Sequence, residues 1–204
     1  MKGIDRTYLL YGVILLLISV ACGKSNPVTS PQVPLVTEPA SISVNGTEIT
    51  IVGVIQTGSL STFNTVLNAN SAVTTVVLEN VPGSDDINDS FGIGRRIRAE
   101  GLRTHIPAEG VVASGGTDIF IGGVVRTAEE GSYIGVHSWA SDEVRGIDLP
   151  DSDPLHQPFI TYYQEMGLPS NFYFFAVRAA SPEIVHWMTE TEITQFNLIA
   201  TPTL

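Results

Sequence analysis

Residues 111–123 read VVASGGTDIFIGG, and the fold turns on them. Val111-Val112-Ala113 is a short apolar run suited to a buried strand. It passes directly into Ser114-Gly115-Gly116, and Thr117 to Ile121 follows as an apolar helix. The neighbouring text on both sides alternates in the same way. Upstream, Ser41 to Thr57 is rich in Ile, Val and Thr around an Asn45-Gly46 turn, which predicts a β-hairpin or two short strands. Leu60, Phe63, Val66 and Leu67 recur at helical spacing, so Ser59 to Asn70 is predicted as a helix, and Val73 to Leu78 as a buried strand. After the turn Val81-Pro82-Gly83-Ser84, Asp85 or Asp86 caps a helix running to Glu100, which Gly101 closes. Leu102 to Ile106 and, downstream, Tyr133 to His137 read as strands. Beyond Pro150 the chain reads as helices over Leu155 to Met166, Asn171 to Ala180 and Glu190 to Phe196, with a short strand near Leu198. Strand–helix alternation over such a length implies parallel βαβ units, hence an α/β class with a helical C-terminal part.

The 204 residues suffice for one domain and an appendage, and 43% hydrophobic against 15% charged residues excludes a disordered chain. Ten basic residues face 21 acidic ones, a net charge of −11, so no nucleic-acid partner is expected. One cysteine excludes both a disulfide framework and a multi-cysteine metal site, and no metal is expected.

The appendage is N-terminal. Lys2 and Arg6 precede the apolar run Leu9 to Val20, which is too short to span a bilayer and fits a signal segment. The run ends in Ser19-Val20-Ala21-Cys22-Gly23, which resembles the bacterial lipobox, although Ser19 stands where leucine is usual. The resemblance implies cleavage after residue 21 and lipidation of Cys22. Gly23 resembles the outer-membrane sorting pattern, so the expected location is the bacterial cell envelope, facing the periplasm. Residues 24–40, KSNPVTSPQVPLVTEPA, hold four prolines and read as a tether. The expected organisation is a signal peptide over 1–21, a Pro-rich tether over 22–40, and an α/β domain over 41–204.

The residues able to do chemistry lie between Gly83 and His137. Ser114 sits where a strand ends and glycines begin, and N–H groups at a helix start suit an oxyanion. His137 ends the apolar strand YIGVH and is a candidate base for a serine nucleophile. Gly83 and Gly115 are the candidate oxyanion donors. His156 and His186, beside aromatics, read as packing or hydrogen-bonding residues; Tyr162-Tyr163 and Phe172 to Phe175 read as core or an oligomer contact. The Asp85, Asp86 and Asp89 group reads as helix capping, and Arg95, Arg96 and Arg98 as a solvated helix face.

In order along the chain, VVLENVPGS (76–84), NDSFGIGRRIRAEG and onward (88–110), VVASGGTDIFIGG (111–123) and RTAEEGSYIGVHSWA (126–140) resemble the proteolytic subunit of Clp protease and its periplasmic relatives. MTETEITQFNLI (188–199) is more loosely similar to the late helix-then-strand element of those proteins. The resemblance implies a Clp/crotonase-like ββα superhelix, with Ser114 as nucleophile, His137 as base, Gly83 in the oxyanion turn, no cofactor, and a homo-oligomer. Two departures stand out. The oxyanion turn has Ser84 where the family usually has a second glycine, and the segment that should carry the third acid reads SPEIVHWMT (181–189). Glu183 is the candidate there, with Asp142, Asp148 and Asp151 as other nearby acids.

These readings imply an envelope-anchored serine hydrolase acting on a peptide or other acyl bond. The competing expectation is a catalytically inactive Clp-fold lipoprotein that serves as a binding or scaffold module. A crotonase-like acyl-group enzyme is disfavoured, because no nucleotide-binding motif is present.

Overall fold

The computed structural model describes residues 31, 34–141 and 143–199. The signal segment, Cys22 and Asp142 lie outside the described residues. Strands β1 (Ser41–Asn45) and β2 (Glu48–Val52) form the antiparallel hairpin around Gly46. Helix α1 (Ser59–Ala69) buries Phe63 and Leu67, and β3 (Thr75–Val81) follows. Helix α2 (Ile87–Ala99) is capped by Asp86, whose side chain accepts the N–H groups of Asn88 and Asp89; of the other two acids, Asp89 accepts the Leu60 N–H in the first turn of α1 and Asp85 accepts from Gln56 Nε2. Then come β4 (Arg103–Ile106), β5 (Val111–Ala113), α3 (Gly115–Phe120), β6 (Arg126–Ala128) and β7 (Tyr133–Val136). The C-terminal part holds α4 (Gln157–Glu165), α5 (Ser170–Ala179), β8 (His186–Trp187) and α6 (Glu190–Gln195).

The sheet forks at β3. Residues 75–77 of β3 pair in parallel with β4, whereas Asn80 and Val81 pair in parallel with β5. One branch continues from β4 to β6, the other from β5 to β7 and, antiparallel, β8. Helix α2 turns Phe91, Ile93 and Ile97 into the core. Burial of a side chain such as Ile97 stabilises by about 1.5–3 kcal/mol.

Three expectations need correction. Leu198 is not in a strand: Asn197 has φ 53, which breaks extended geometry, and the Leu198 carbonyl accepts a hydrogen bond from Arg126 Nε at 2.6 Å. Arg98 is not on a solvated face; its Nη2 donates to the carbonyls of Ile121, Gly123 and Met166 at 3.2, 3.3 and 2.7 Å. The expected helix over Thr117 to Ile121 begins earlier, at Gly115. Glycine is required at that start, because a Cβ at Gly115 would collide with Ser84 Cβ and lie 2.7 Å from Ser90 Oγ.

The last part of the expected tether is extended but held. Asn80, 8% exposed, accepts from the Val36 N–H (3.1 Å) and donates to the Pro34 carbonyl (3.0 Å). The Ala40 N–H donates to the Val54 carbonyl, and the Val54 N–H to the Glu38 carbonyl, each at 2.8 Å. Gly53, with φ +113, permits this approach: a Cβ there would lie 2.7 Å from the Glu38 carbonyl oxygen.

Candidate active site

Three adjacent parallel strands, β3, β5 and β7, end at one edge of the sheet, where open α/β sheets commonly bind ligands. Just beyond their ends stand Gly83, Ser114 and His137 respectively. The sheet therefore gathers residues separated by up to 54 positions in sequence. A Cβ on Gly83 would lie 4.0 Å from Ser114 Cβ, and one on Gly115 would lie 3.2 Å from the Ser84 nitrogen. The Gly83-Ser84 turn and the first turn of α3 thus face one another.

Ser114 has φ 52 and ψ −123, one of three described non-glycine residues at positive φ. That geometry costs about 1–3 kcal/mol and persists only where surrounding structure imposes it. It matches the strained strand-to-helix turn that exposes a serine nucleophile. The Ser114 side chain does not cap its own helix. The Gly115 N–H, in the first turn, has no intrahelical acceptor.

Two cavities meet at Ser114 and His137. One is a small enclosure of about 40 Å³, walled by Val136, Trp139, Tyr163 and Tyr173, and lined also by Asp118. The other is an open groove between Leu35–Thr37 of the held segment and Pro82–Asp85 of the turn.

His137 is half-buried, and burial pushes its pKa below the ordinary histidine value; the Ser138 backbone and the Glu183 charge oppose this without reversing it. It is therefore neutral near pH 7, as a base must be. Its Nδ1 is buried with no partner, and no hydrogen bond connects its ring to Ser114. Glu183 is fully exposed. Ser181 first, then its own backbone, with Arg145 and His137 contributing less, holds its carboxyl below the usual range. Glu183 Oε2 lies 3.3 Å from Arg145 Nη2 and makes no hydrogen bond to His137. Of the other acids weighed for that role, Asp148 pairs with Arg145 at 3.7 Å and Asp151 with Arg178.

Asp118 was not singled out from the sequence. Its carboxyl is almost wholly buried and burial raises its pKa to about 7, with the Tyr163 hydroxyl, which donates to Oδ1 at 2.8 Å, opposing. A lone acid four residues after Ser114, inside the apolar run TDIFI, was the available signal. His156 is buried and contacts the Tyr173 hydroxyl through Nδ1 at 2.5 Å; Trp139 Nε1 donates to the same hydroxyl at 2.9 Å. His186 lies 3.0 Å from Glu192 Oε2, within the capping of α6. Among the described residues no group of three or more His, Cys, Asp or Glu is arranged to hold a metal ion. No described helix is long and apolar enough to cross a membrane.

No protein-family model matches the chain, and no curated protein matches it. Solved structures do. A ClpP1 variant from Listeria monocytogenes superposes with TM-score 0.55 at 14% identity, over 76% of this chain and 89% of that one. Human enoyl Coenzyme A hydratase domain-containing protein 3 gives 0.51 at 10% identity, over 80% and 70%. A serine-to-alanine mutant of the 1510-N membrane-bound stomatin-specific protease gives 0.50 at 16% identity, over 74% and 75%. At such identities the likeness concerns architecture alone: a mixed α/β chain with a Clp/crotonase-like fold.

Proposed function

We propose that this protein is a serine hydrolase of peptide or other acyl bonds, held at the bacterial envelope through a lipid on Cys22. The observation that carries the hydrolytic reading is the strained turn at Ser114, which sets the serine between two cavities that His137 also lines. The stomatin-specific protease among the structural neighbours supports it, and the lipobox-like Ser19 to Gly23 supports the anchor.

In this reading the substrate backbone lies in the open groove. Ser114 Oγ attacks the carbonyl carbon while its proton passes to neutral His137. The N–H groups of the Gly83-Ser84 turn and of Gly115 receive the developing oxyanion. His137 returns the proton to the leaving group, and water, deprotonated by the same ring, releases the acyl group. Glu183 is the acid whose charge reaches His137, and it takes the orienting role. Because it is exposed, its removal costs far less than the about 10⁴-fold loss seen when a buried triad acid is replaced. Closure over substrate brings Oγ and the ring together, as apo sites of this kind often require. A homo-oligomer belongs to the same proposal, although α4 and α5 bury Tyr162, Tyr163, Phe172 and Tyr173 within the chain itself.

The partnerless Nδ1 and the missing Ser114–His137 hydrogen bond favour a second reading, a binding module without turnover. A fluorophosphonate probe separates the two. Labelling of the purified protein that disappears in Ser114→Ala supports the hydrolase. A folded protein that takes no label is the binding module.

A further inference from the structure

We propose that the enclosure beside Ser114 reads the substrate side chain next to the bond attacked, and that Asp118 makes it select a short side chain bearing a hydroxyl. This rests on the acyl-hydrolase reading above and adds a substrate class to it.

Ser114 and Asp118 are one turn apart on α3, tied by the Asp118 N–H donating to the Ser114 carbonyl at 3.0 Å. Both open into the same enclosure. Apart from the catalytic candidates Ser114 and His137, whose Nδ1 has no partner, the hydrogen-bonding side chains on its wall are paired. Thr117 Oγ1 donates to the Gly135 carbonyl at 2.8 Å, the Tyr163 hydroxyl to Asp118 Oδ1, and Trp139 Nε1 to the Tyr173 hydroxyl. Asp118 Oδ2 is different: it makes no hydrogen bond, yet it is not among the atoms sealed from the surface. Asp118 as a whole is 5% exposed, and no cation contributes to its environment. A merely structural role at Oδ1 would be met by asparagine without the cost of burying an ionisable group. An unpaired oxygen on the largely aromatic wall of the space that Ser114 and His137 share is a hydrogen-bonding point for something that enters.

Size and chemistry narrow what enters. The enclosure measures about 40 Å³, against the roughly 150 Å³ cavity that holds benzene. It accommodates a hydroxymethyl group, not a leucine, phenylalanine or lysine side chain. The carboxyl titrates near neutrality, so it presents either an acceptor or an O–H donor. A hydroxyl pairs with both forms, whereas an ammonium group donates only.

The test does not depend on turnover. In a Ser114→Ala, Trp187→Phe chain, Trp139 is the sole tryptophan and reports from the wall of the enclosure. Matched short peptides are titrated that differ at one position: serine, alanine, its longer homologue 2-aminobutyrate, leucine and lysine. The serine peptide should bind about fivefold more tightly than its methyl isostere 2-aminobutyrate, the value of one hydrogen bond, and leucine and lysine peptides weakest. Asp118→Leu should abolish the difference between serine and 2-aminobutyrate, and Asp118→Asn should retain most of it. Equal affinity for that pair, a preference for leucine or lysine, no binding by any peptide, or a serine preference that survives in folded Asp118→Leu would each overturn the inference. If Asp118→Leu does not fold, the serine-to-isostere ratio in the parent chain decides alone. Failure of the hydrolase reading shows separately, as absent fluorophosphonate labelling of the wild-type serine.

Discussion

Replacing Asp118 by asparagine should change how stability depends on pH, by an amount the structure supplies. Burial raises the folded pKa from the ordinary 3.8 to about 7. Below about pH 3.8 the carboxyl is protonated in both folded and unfolded chains, and it contributes no pH dependence. Between the two values the unfolded chain loses this proton and the folded chain keeps it, so rising pH favours unfolding. Each pH unit costs about 1.36 kcal/mol, and above about pH 7 both states are ionised and the penalty is complete. Three units give a total of about 4 kcal/mol. Asparagine keeps an oxygen for the Tyr163 hydroxyl and carries no charge at any pH. Urea unfolding of wild type and Asp118→Asn, measured from about pH 4.5 to 8, isolates the effect, because the other acids cancel in the difference. The variant should gain about 3 kcal/mol relative to wild type across that range, a relative midpoint shift of about 1–2 M urea. A difference flat to within about 0.5 kcal/mol would refute the argument, and with it the burial of an ionisable carboxyl at this position.

Fluorophosphonate labelling of Ser114 should rise with pH as His137 loses its proton, with a midpoint below the ordinary histidine value of 6.5 because burial disfavours the charged ring; a midpoint above about 7.5 would contradict a buried base. Ser114→Gly should be more stable than Ser114→Ala by about 1 kcal/mol in denaturant melts, because glycine relieves the positive φ and alanine does not. Asn80→Ala should free the segment at Pro34–Val36, seen as faster limited proteolysis N-terminal to Ser41, and leave a circular-dichroism spectrum like that of wild type.

Elements carrying their own chemical signature were legible in the sequence. The Asn45-Gly46 turn, the Asp86 cap and the helical periodicity of α1 and α2 each act within a few residues, and each stands where local reasoning puts it. Strands defined by their neighbours were not. Strand β6 is three residues beginning with a charged arginine, and β8 is only His186-Trp187; they exist because β4 and β7 have edges to pair with. The start of α3 was missed because Gly115 and Gly116 carry no apolar signal, though packing demands them. Arg98 and Arg126 look solvated by type, yet their guanidinium groups satisfy carbonyls at the C-terminal ends of α4 and α6, a need visible only in three dimensions. Ser114 and His137 could be singled out by motif. The setting of the Glu183 carboxylate, exposed and paired with Arg145, could not, because Arg145 lies 38 residues away.

The fork at β3 bears on how the molecule comes apart. Strand β2 occupies one edge of β3, and β4 and β5 divide the other between them. Both branches are thus rooted in seven residues, Thr75–Val81, and neither can peel away while the other keeps an intact root. Local opening is left to the periphery, where β6 and β8 end the branches. The amides of β3 should exchange with solvent only when the whole chain unfolds, so that the strand ending at the oxyanion turn is also the last to open.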